Sequence, residues 1–210
     1  YDSPDFRGID VGLIYDKDQF TLESSRSARL HTPQFPDLRT RDQLVVSGIL
    51  AGERVHFIVN HWPSRLGGEK QSSPKREAAA ALTKHLADSL LAADPDSKVI
   101  IMGDLNDDPS NRSCKTVLGA KKKQQEVQAG GYFNTMWEMF DKGIGTLAYN
   151  GSWNLFDQII ISGNLLGKDR STLKYIRSEV FNRDFLKQKE GKYKELKEKK
   201  RLLEKNIDAL

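Results

Sequence analysis

Cysteine is nearly absent: the chain of 210 residues has one, Cys114. A single thiol excludes an internal disulfide and any all-cysteine metal site, and it fits a reducing compartment without requiring one. Long apolar runs are missing as well. No window approaches the ~18 consecutive apolar residues of a membrane span, and the opening YDSPDFRGID has neither the basic start nor the apolar core of a signal peptide. The chain opens on Tyr1 rather than methionine, as a processed or cloned piece of a protein would. There is no internal repeat, no glycine-rich phosphate loop, no Ser-His-Asp arrangement and no Cys-His zinc cluster, so the chemistries tied to those patterns are excluded.

What is there suits one soluble globular domain of ordinary size, with 38% hydrophobic residues to build a core. The formal charge of +4 hints at nucleic acid until it is located. Lys187 to Lys205 hold nine Lys or Arg against four Glu, a local +5, so the rest of the chain is near neutral. A basic tail argues for a solvated helix or a loose attraction to phosphates rather than a basic groove in the domain body.

Strand and helix signals alternate along the chain. GIDVGLIYD (8–16) and QFTLESS (19–25) read as two strands joined tightly at Lys17-Asp18, and 42–62 as a hairpin turned at Ala51-Gly52-Glu53. A helix follows, with Ser73 as its cap, Pro74 at its first helical position, and Ala78, Leu82, Leu86 and Leu90 at helical spacing; Asp94-Pro95-Asp96 stops it. Lys98 to Gly103 and 156–162 read as further strands. The polar, glycine-bounded 119–131 reads as an exposed loop and the aromatic-rich 131–154 as a structured loop closing on the sheets. Hairpins plus a long helix between strands predict two packed sheets with helices outside.

Chemistry gathers at three places. In IIMGDLNDDPSN (100–111) an apolar strand delivers Asp104 and Asn106 two positions apart, where alternation would turn both side chains the same way. Such a pair can hold a water, a phosphate oxygen or a hard divalent cation, or simply form a turn. In FIVNHWPSR (57–65) a strand ends at His61, with Arg65 nearby: an imidazole able to move a proton near neutral pH and a guanidinium fork for anionic oxygens. His31, His56 and His85 have no such neighbours and read as packing or surface residues. In SWNLFDQIIIS (152–162) Asp157 opens an otherwise apolar strand; buried, it would need a partner, and the far nitrogen of a histidine is one, a capping role being the other reading.

In this order and spacing, GIDVGLIYD, NHWPSR, GDLNDDPSN and WNLFDQIIIS resemble the endonuclease/exonuclease/phosphatase superfamily with its DNase-I-like fold. The resemblance implies an α/β class: a four-layer sandwich of two mainly antiparallel sheets with outer helices. It also implies Mg²⁺- or Mn²⁺-dependent hydrolysis of a phosphodiester substrate, be it nucleic acid, lipid head group or small molecule. By position, His61 meets the scissile phosphate and Asp104 and Asn106 orient water and phosphate and hold the metal. Asp157 braces a histidine, and Asn60 and Arg65 touch substrate.

The family also carries an asparagine and a metal-binding glutamate upstream of the first strand seen here, and a terminal Ser-Asp-His segment. Neither is visible, and the 53 residues after Asp157 contain no histidine. The fold is therefore expected to be incomplete at both ends, with a partial domain over 1–185 and a charged helix over 186–210. The chain alone is expected to be a weak or inactive hydrolase and to self-associate through bare sheet edges or that helix. The alternative is a non-catalytic binding or scaffold module derived from the same fold.

Overall fold

The computed structural model describes residues 1–149, 152–181, 183 and 185; the expected helix over 186–210 lies outside the described residues. Six strands form one mixed sheet: β1 (Phe20–Ala28), β2 (Gln43–Leu50), β3 (Glu53–His61), β4 (Lys98–Asp104), β5 (Tyr132–Asn134) and, last in the chain, β8 (Asp157–Ser162). Their spatial order is β1-β2-β3-β4-β8-β5, and β6 (Leu147–Tyr149) and β7 (Ser152–Asn154) make a separate two-stranded sheet. Among these strands only β3 and β4 pair in parallel, because the connection between them is the crossover helix α1 (Glu69–Ala93). A short helix, α2 (Trp137–Asp141), follows β5.

The β2/β3 hairpin is set by its two-residue turn, with Ala51 at φ 50° and Gly52 at φ 81°; two left-handed residues match the twist of the flanking strands. One face of the sheet packs on α1. Val45, Ile58, Val99, Ile101 and Ile160 meet Ala79, Ala80, Leu86 and Ala87 there, and Cys114 and Leu118 join the same fully dry cluster. The other face carries Leu44, Val46 and Val59 under Phe20, and farther along Phe133, Ile161 and Leu165.

Three local expectations change. Residues 8–16 form no strand among the described residues. Their alternation is still used: Val11 and Leu13 pack on the Phe20 cluster while Gly12 and Ile14 face solvent. The helix starts at Glu69, not near Ser73. Gly67 and Gly68, at φ 84° and 102°, turn the chain into it. The Ser72 hydroxyl donates back to the Gly68 carbonyl at 2.7 Å, and Ser73 reaches Glu77 instead of capping. Pro74 is thus inside the helix, and its missing N–H leaves the Lys70 carbonyl without its helical donor. Finally, 131–154 is more regular than a loop: it supplies edge strand β5, α2 and the β6/β7 pair, with Tyr132, Phe133, Met136 and Trp137 buried.

Candidate active site

The register of three neighbouring strands sets a row of side chains at one end of the sheet. His61 on β3 stands opposite Asp104 on β4, and Asp104 stands opposite Asp157 on β8. Residues directly paired across a sheet project to the same face, so all three lie on the face away from α1. His61 Nε2 is 3.6 Å from Asp104 Oδ2, a contact too long for a hydrogen bond, and each side chain keeps about a third of its surface open, 30% and 35%. Asp157 is exposed and its backbone N–H donates to Thr146 Oγ1 at 3.1 Å.

The backbone before Asp104 explains the residue type there. Gly103 has φ 125°, and a Cβ on it would sit 2.0 Å from the Asn60 carbonyl oxygen. Only glycine lets β3 and β4 approach so closely while the chain bends to present the aspartate. The strand ends at Asp104, and Asn106 takes a left-handed conformation at φ 51°. Its N–H donates to Asp104 Oδ1 at 2.9 Å, and its side-chain Nδ2 donates to the Trp62 carbonyl at 2.9 Å. The two residues are therefore joined by a turn and not by strand alternation, and the turn-forming and site-forming readings of this motif both apply. One Asp104 oxygen stays in the turn; the other faces His61.

Asn60 and Arg65 are both engaged by the protein itself. Asn60, one residue before His61, points to the opposite face and is 1% exposed. It donates to the Ile58 carbonyl at 2.9 Å and accepts from Trp62 Nε1 at 3.0 Å. Arg65 is consumed by the loop after β4. Its Nε donates to the Asn106 carbonyl at 2.9 Å, Nη2 reaches Asp107 and Asn111 at 3.2 and 3.1 Å, and the guanidinium lies 4.4 Å from the Phe156 ring centroid. With Nη1 also reaching Glu69 at 3.3 Å, most of this fork is engaged in positioning the Asp104–Asn106 turn.

Beneath that loop lies a buried polar cluster that the motifs did not announce. Arg76 Nε and Asp107 Oδ1 form an ion pair at 2.7 Å, with side chains 0% and 1% exposed. Ser113 donates to Asp107 Oδ2 at 2.6 Å and Gln158 Nε2 to the Asp107 carbonyl at 2.6 Å. Asp108 accepts the Leu155 N–H at 2.7 Å. A second buried pair, Arg41 Nη1 to Asp5 at 2.9 Å, fixes the other side: Arg41 also donates to the carbonyls of His61 at 3.1 Å and Trp62 at 2.7 Å. One signal was available in the sequence, since Arg76 sits on the buried helical stripe with Ser72, Ala79, Ala80 and Thr83; Asp5 and Arg41 gave none.

Burial drives the electrostatics of the row. It raises the Asp104 carboxyl above its ordinary range; the facing Asp157 charge adds to this, and the Asn106 N–H opposes it. Burial also lowers the His61 imidazole, helped by the Arg41 charge and opposed by Asp104. Both groups are pushed toward their neutral forms. Among the described residues no group of three or more His, Cys, Asp or Glu side chains could hold a metal ion. Asp104 and Asp157 are the carboxylates that the register brings opposite each other across β4 and β8.

The chain belongs to the Endonuclease/Exonuclease/phosphatase family, which it matches over residues 1–201. No curated protein matches it by sequence. Among solved structures it is similar to truncated Caenorhabditis elegans TDP2 (17% identity, TM-score 0.46, 69% of this chain and 54% of that one). It is also similar to the human Nocturnin catalytic domain with bound sulfate (18%, TM-score 0.45, 70% and 49%). A third is the mannosyl-6-phosphatase of Bacteroides thetaiotaomicron (18%, TM-score 0.47, 70% and 55%). The chain spans about half the length of these proteins, and its family assignment rests on the match over residues 1–201.

Proposed function

We propose that the chain carries the histidine–aspartate part of a metal-dependent phosphate-ester hydrolase site. The observation that supports this most is the row His61, Asp104 and Asp157, in register on one open sheet face. His61 is suited to hydrogen-bond a phosphoryl oxygen and pass a proton near neutral pH. Asp104, raised toward neutrality by burial, is suited to take a proton from an attacking water. Asn106 holds the turn that aims Asp104, and Asp157 adds negative charge beside it. Asp104, with Asn106 and Asp157, would hold Mg²⁺ or Mn²⁺, which neutralises charge on the phosphoryl oxygens when bound. The substrate is a phosphate ester; no covalent nucleophile is required.

Hydrolysis of bis-p-nitrophenyl phosphate with Mn²⁺ tests this. Turnover by the wild-type chain, weak as it should be without the family's remaining ligands, should still exceed that of Asp104→Ala and His61→Ala, each of which removes a group worth about 10²–10⁴. Equal rates for wild type and Asp104→Ala would overturn the reading. A second reading, a phosphate-binding module without turnover, is favoured by the lack of a three-ligand acidic group among the described residues. It predicts phosphate binding that His61→Ala weakens, with no hydrolysis by any variant.

A further inference from the structure

Beside the first turns of α1 lies a cleft of about 620 Å³, walled by residues 5–7, the 34–41 segment between β1 and β2, the turn after β3 and the start of α1. None of these residues belongs to the His61–Asp104–Asp157 row, which projects from the opposite face of the sheet, so the cleft serves something other than the phosphate ester. Its apolar groups stand on the rim. Phe6 is 80% and Leu66 86% exposed, and Phe35 and Leu38 are half-buried. A small-molecule pocket turns its apolar groups inward and encloses the ligand. Apolar groups held out from a rim are what another protein closes over.

The rim is built in advance. Two tandem turns, Thr32–Phe35 and Phe35–Leu38, are each closed by an N–H to carbonyl hydrogen bond of 3.1 Å. Pro33 and Pro36 stand at the second position of each, where the fixed φ of proline suits the turn. Residues 5–7 are fixed too: the Gly8 N–H donates to the Asp5 carbonyl at 2.9 Å, and Arg7 and Arg41 grip the Asp5 carboxylate. A rim so held loses little entropy when a partner docks.

Charge selects the partner. Arg7, Arg39, Arg41 and Lys75 line the cleft against Asp5 and Asp37, two positive charges in excess. Arg7 and Arg41 share the one Asp5, which leaves Asp37 as the remaining wall carboxylate for Arg39 and Lys75. Cations also stand at the aromatic rings: the Arg7 guanidinium is 5.8 Å from the Phe6 centroid and Lys75 Nζ 5.8 Å from that of Phe35. A side chain seated on these rings brings its neighbours in sequence over the cations, where carboxylates are favoured.

We infer that this cleft docks an acidic segment of a partner protein, with a Phe, Trp or Leu side chain against Phe6, Phe35 and Leu66 and flanking Asp or Glu on Arg39 and Lys75. The chain's own tail, a local +5 over 187–205, has the wrong sign to be the occupant. A flat anionic bilayer could meet Phe6 and Leu66 but would not fill a concave cleft.

The test is selection from a displayed random dodecapeptide library on the immobilised full chain, followed by fluorescence anisotropy of the enriched peptide. Enriched sequences should carry Asp or Glu on both sides of a Phe, Trp or Leu. Phe6→Ala, Leu66→Ala and Lys75→Glu should each weaken binding by about tenfold or more, the order expected of an anchor and of a reversed rim charge. Phe6 and Leu66 are too exposed for their loss to disturb the core, and circular dichroism checks each variant. Enrichment of basic or uncharged sequences, no enrichment, or wild-type affinity in Phe6→Ala and Leu66→Ala alike overturns the inference. So does Phe6-dependent co-sedimentation with phosphatidylcholine–phosphatidylserine vesicles where no peptide binds, which would make this surface a membrane contact.

Discussion

Asp104 ends β4, Asp107 lies three residues on in the loop that follows, and the two have opposite surroundings. Asp107 is 1% exposed, faces the buried Arg76 and accepts from Ser113; its charge is matched on every side. Asp104 is a third open, faces a second carboxylate across the sheet, and has for company a histidine whose own charged form is disfavoured. A fold can leave an acid unmatched in this way only where neighbouring groups over-determine the backbone. The Arg76–Asp107 pair, Arg65 and Gly103 do that here. The difference separates residues that keep the loop in place from residues kept available for chemistry.

The comparison breaks first at Arg76. Arg76→Ala strands Asp107 in the core and should lower unfolding free energy by about 3–5 kcal/mol, read from urea denaturation; a loss under 1 kcal/mol would mean the pair is not what fixes the loop. Gly103→Ala should cost about 3 kcal/mol, through a strained φ and a collision with the Asn60 carbonyl, and thermal unfolding would report it. Arg65→Lys keeps a charge but loses the fork, so roughly 1–2 kcal/mol of stability should go. Turnover should fall with it, because the Asn106 carbonyl loses its donor. At Asp104 the two readouts separate: Asp104→Asn should leave stability within about 1 kcal/mol of wild type while abolishing turnover.

The last effect is a pH dependence. Burial alone would raise the Asp5 carboxyl, but hydrogen bonds from Arg7 and Arg41 outweigh it and hold the acid well below the usual carboxylate range. A depressed folded-state pKa contributes stability that is complete above the unfolded value of about 3.9 and drains away as pH falls below it. The stability gap between wild type and Asp5→Asn should therefore be constant from pH 5 to 7 and shrink below about pH 4. A gap that widens on acidification would mean that Asp5 is not ionised in its pair with Arg41.

The mixed α/β class, the β2/β3 hairpin, strands β4 and β8 and the end of α1 were legible, because each follows from local patterning. His61, Asp104 and Asp157 were legible as residues at strand termini, where alternation ends and polar groups meet solvent. What escaped was tertiary. Whether 8–16 pairs as a strand depends on neighbours that alternation does not name, and the start of α1 was decided by Gly67-Gly68 over a proline that usually marks a first turn. The roles that the resemblance implies for Asn60 and Arg65 say nothing of the contacts the fold gives them. Strand alternation turns Asn60 under the sheet, and the carboxylates of a loop forty residues onward capture Arg65.

The lone cysteine offers a use that its chemistry would not suggest. Cys114 is wholly enclosed between α1 and the loop that follows Asp107 and Asp108, and burial pushes its thiol up to about 12. A reagent that attacks thiolates finds nothing to react with while this seam is closed. Each labelling event at neutral pH therefore records one opening of the α1 seam, and the labelling rate becomes a clock for the motion that would scatter the site. Slowing of that clock by a bound phosphate ester would measure, from the far side of the sheet, how firmly the ligand holds the Asp104 loop shut.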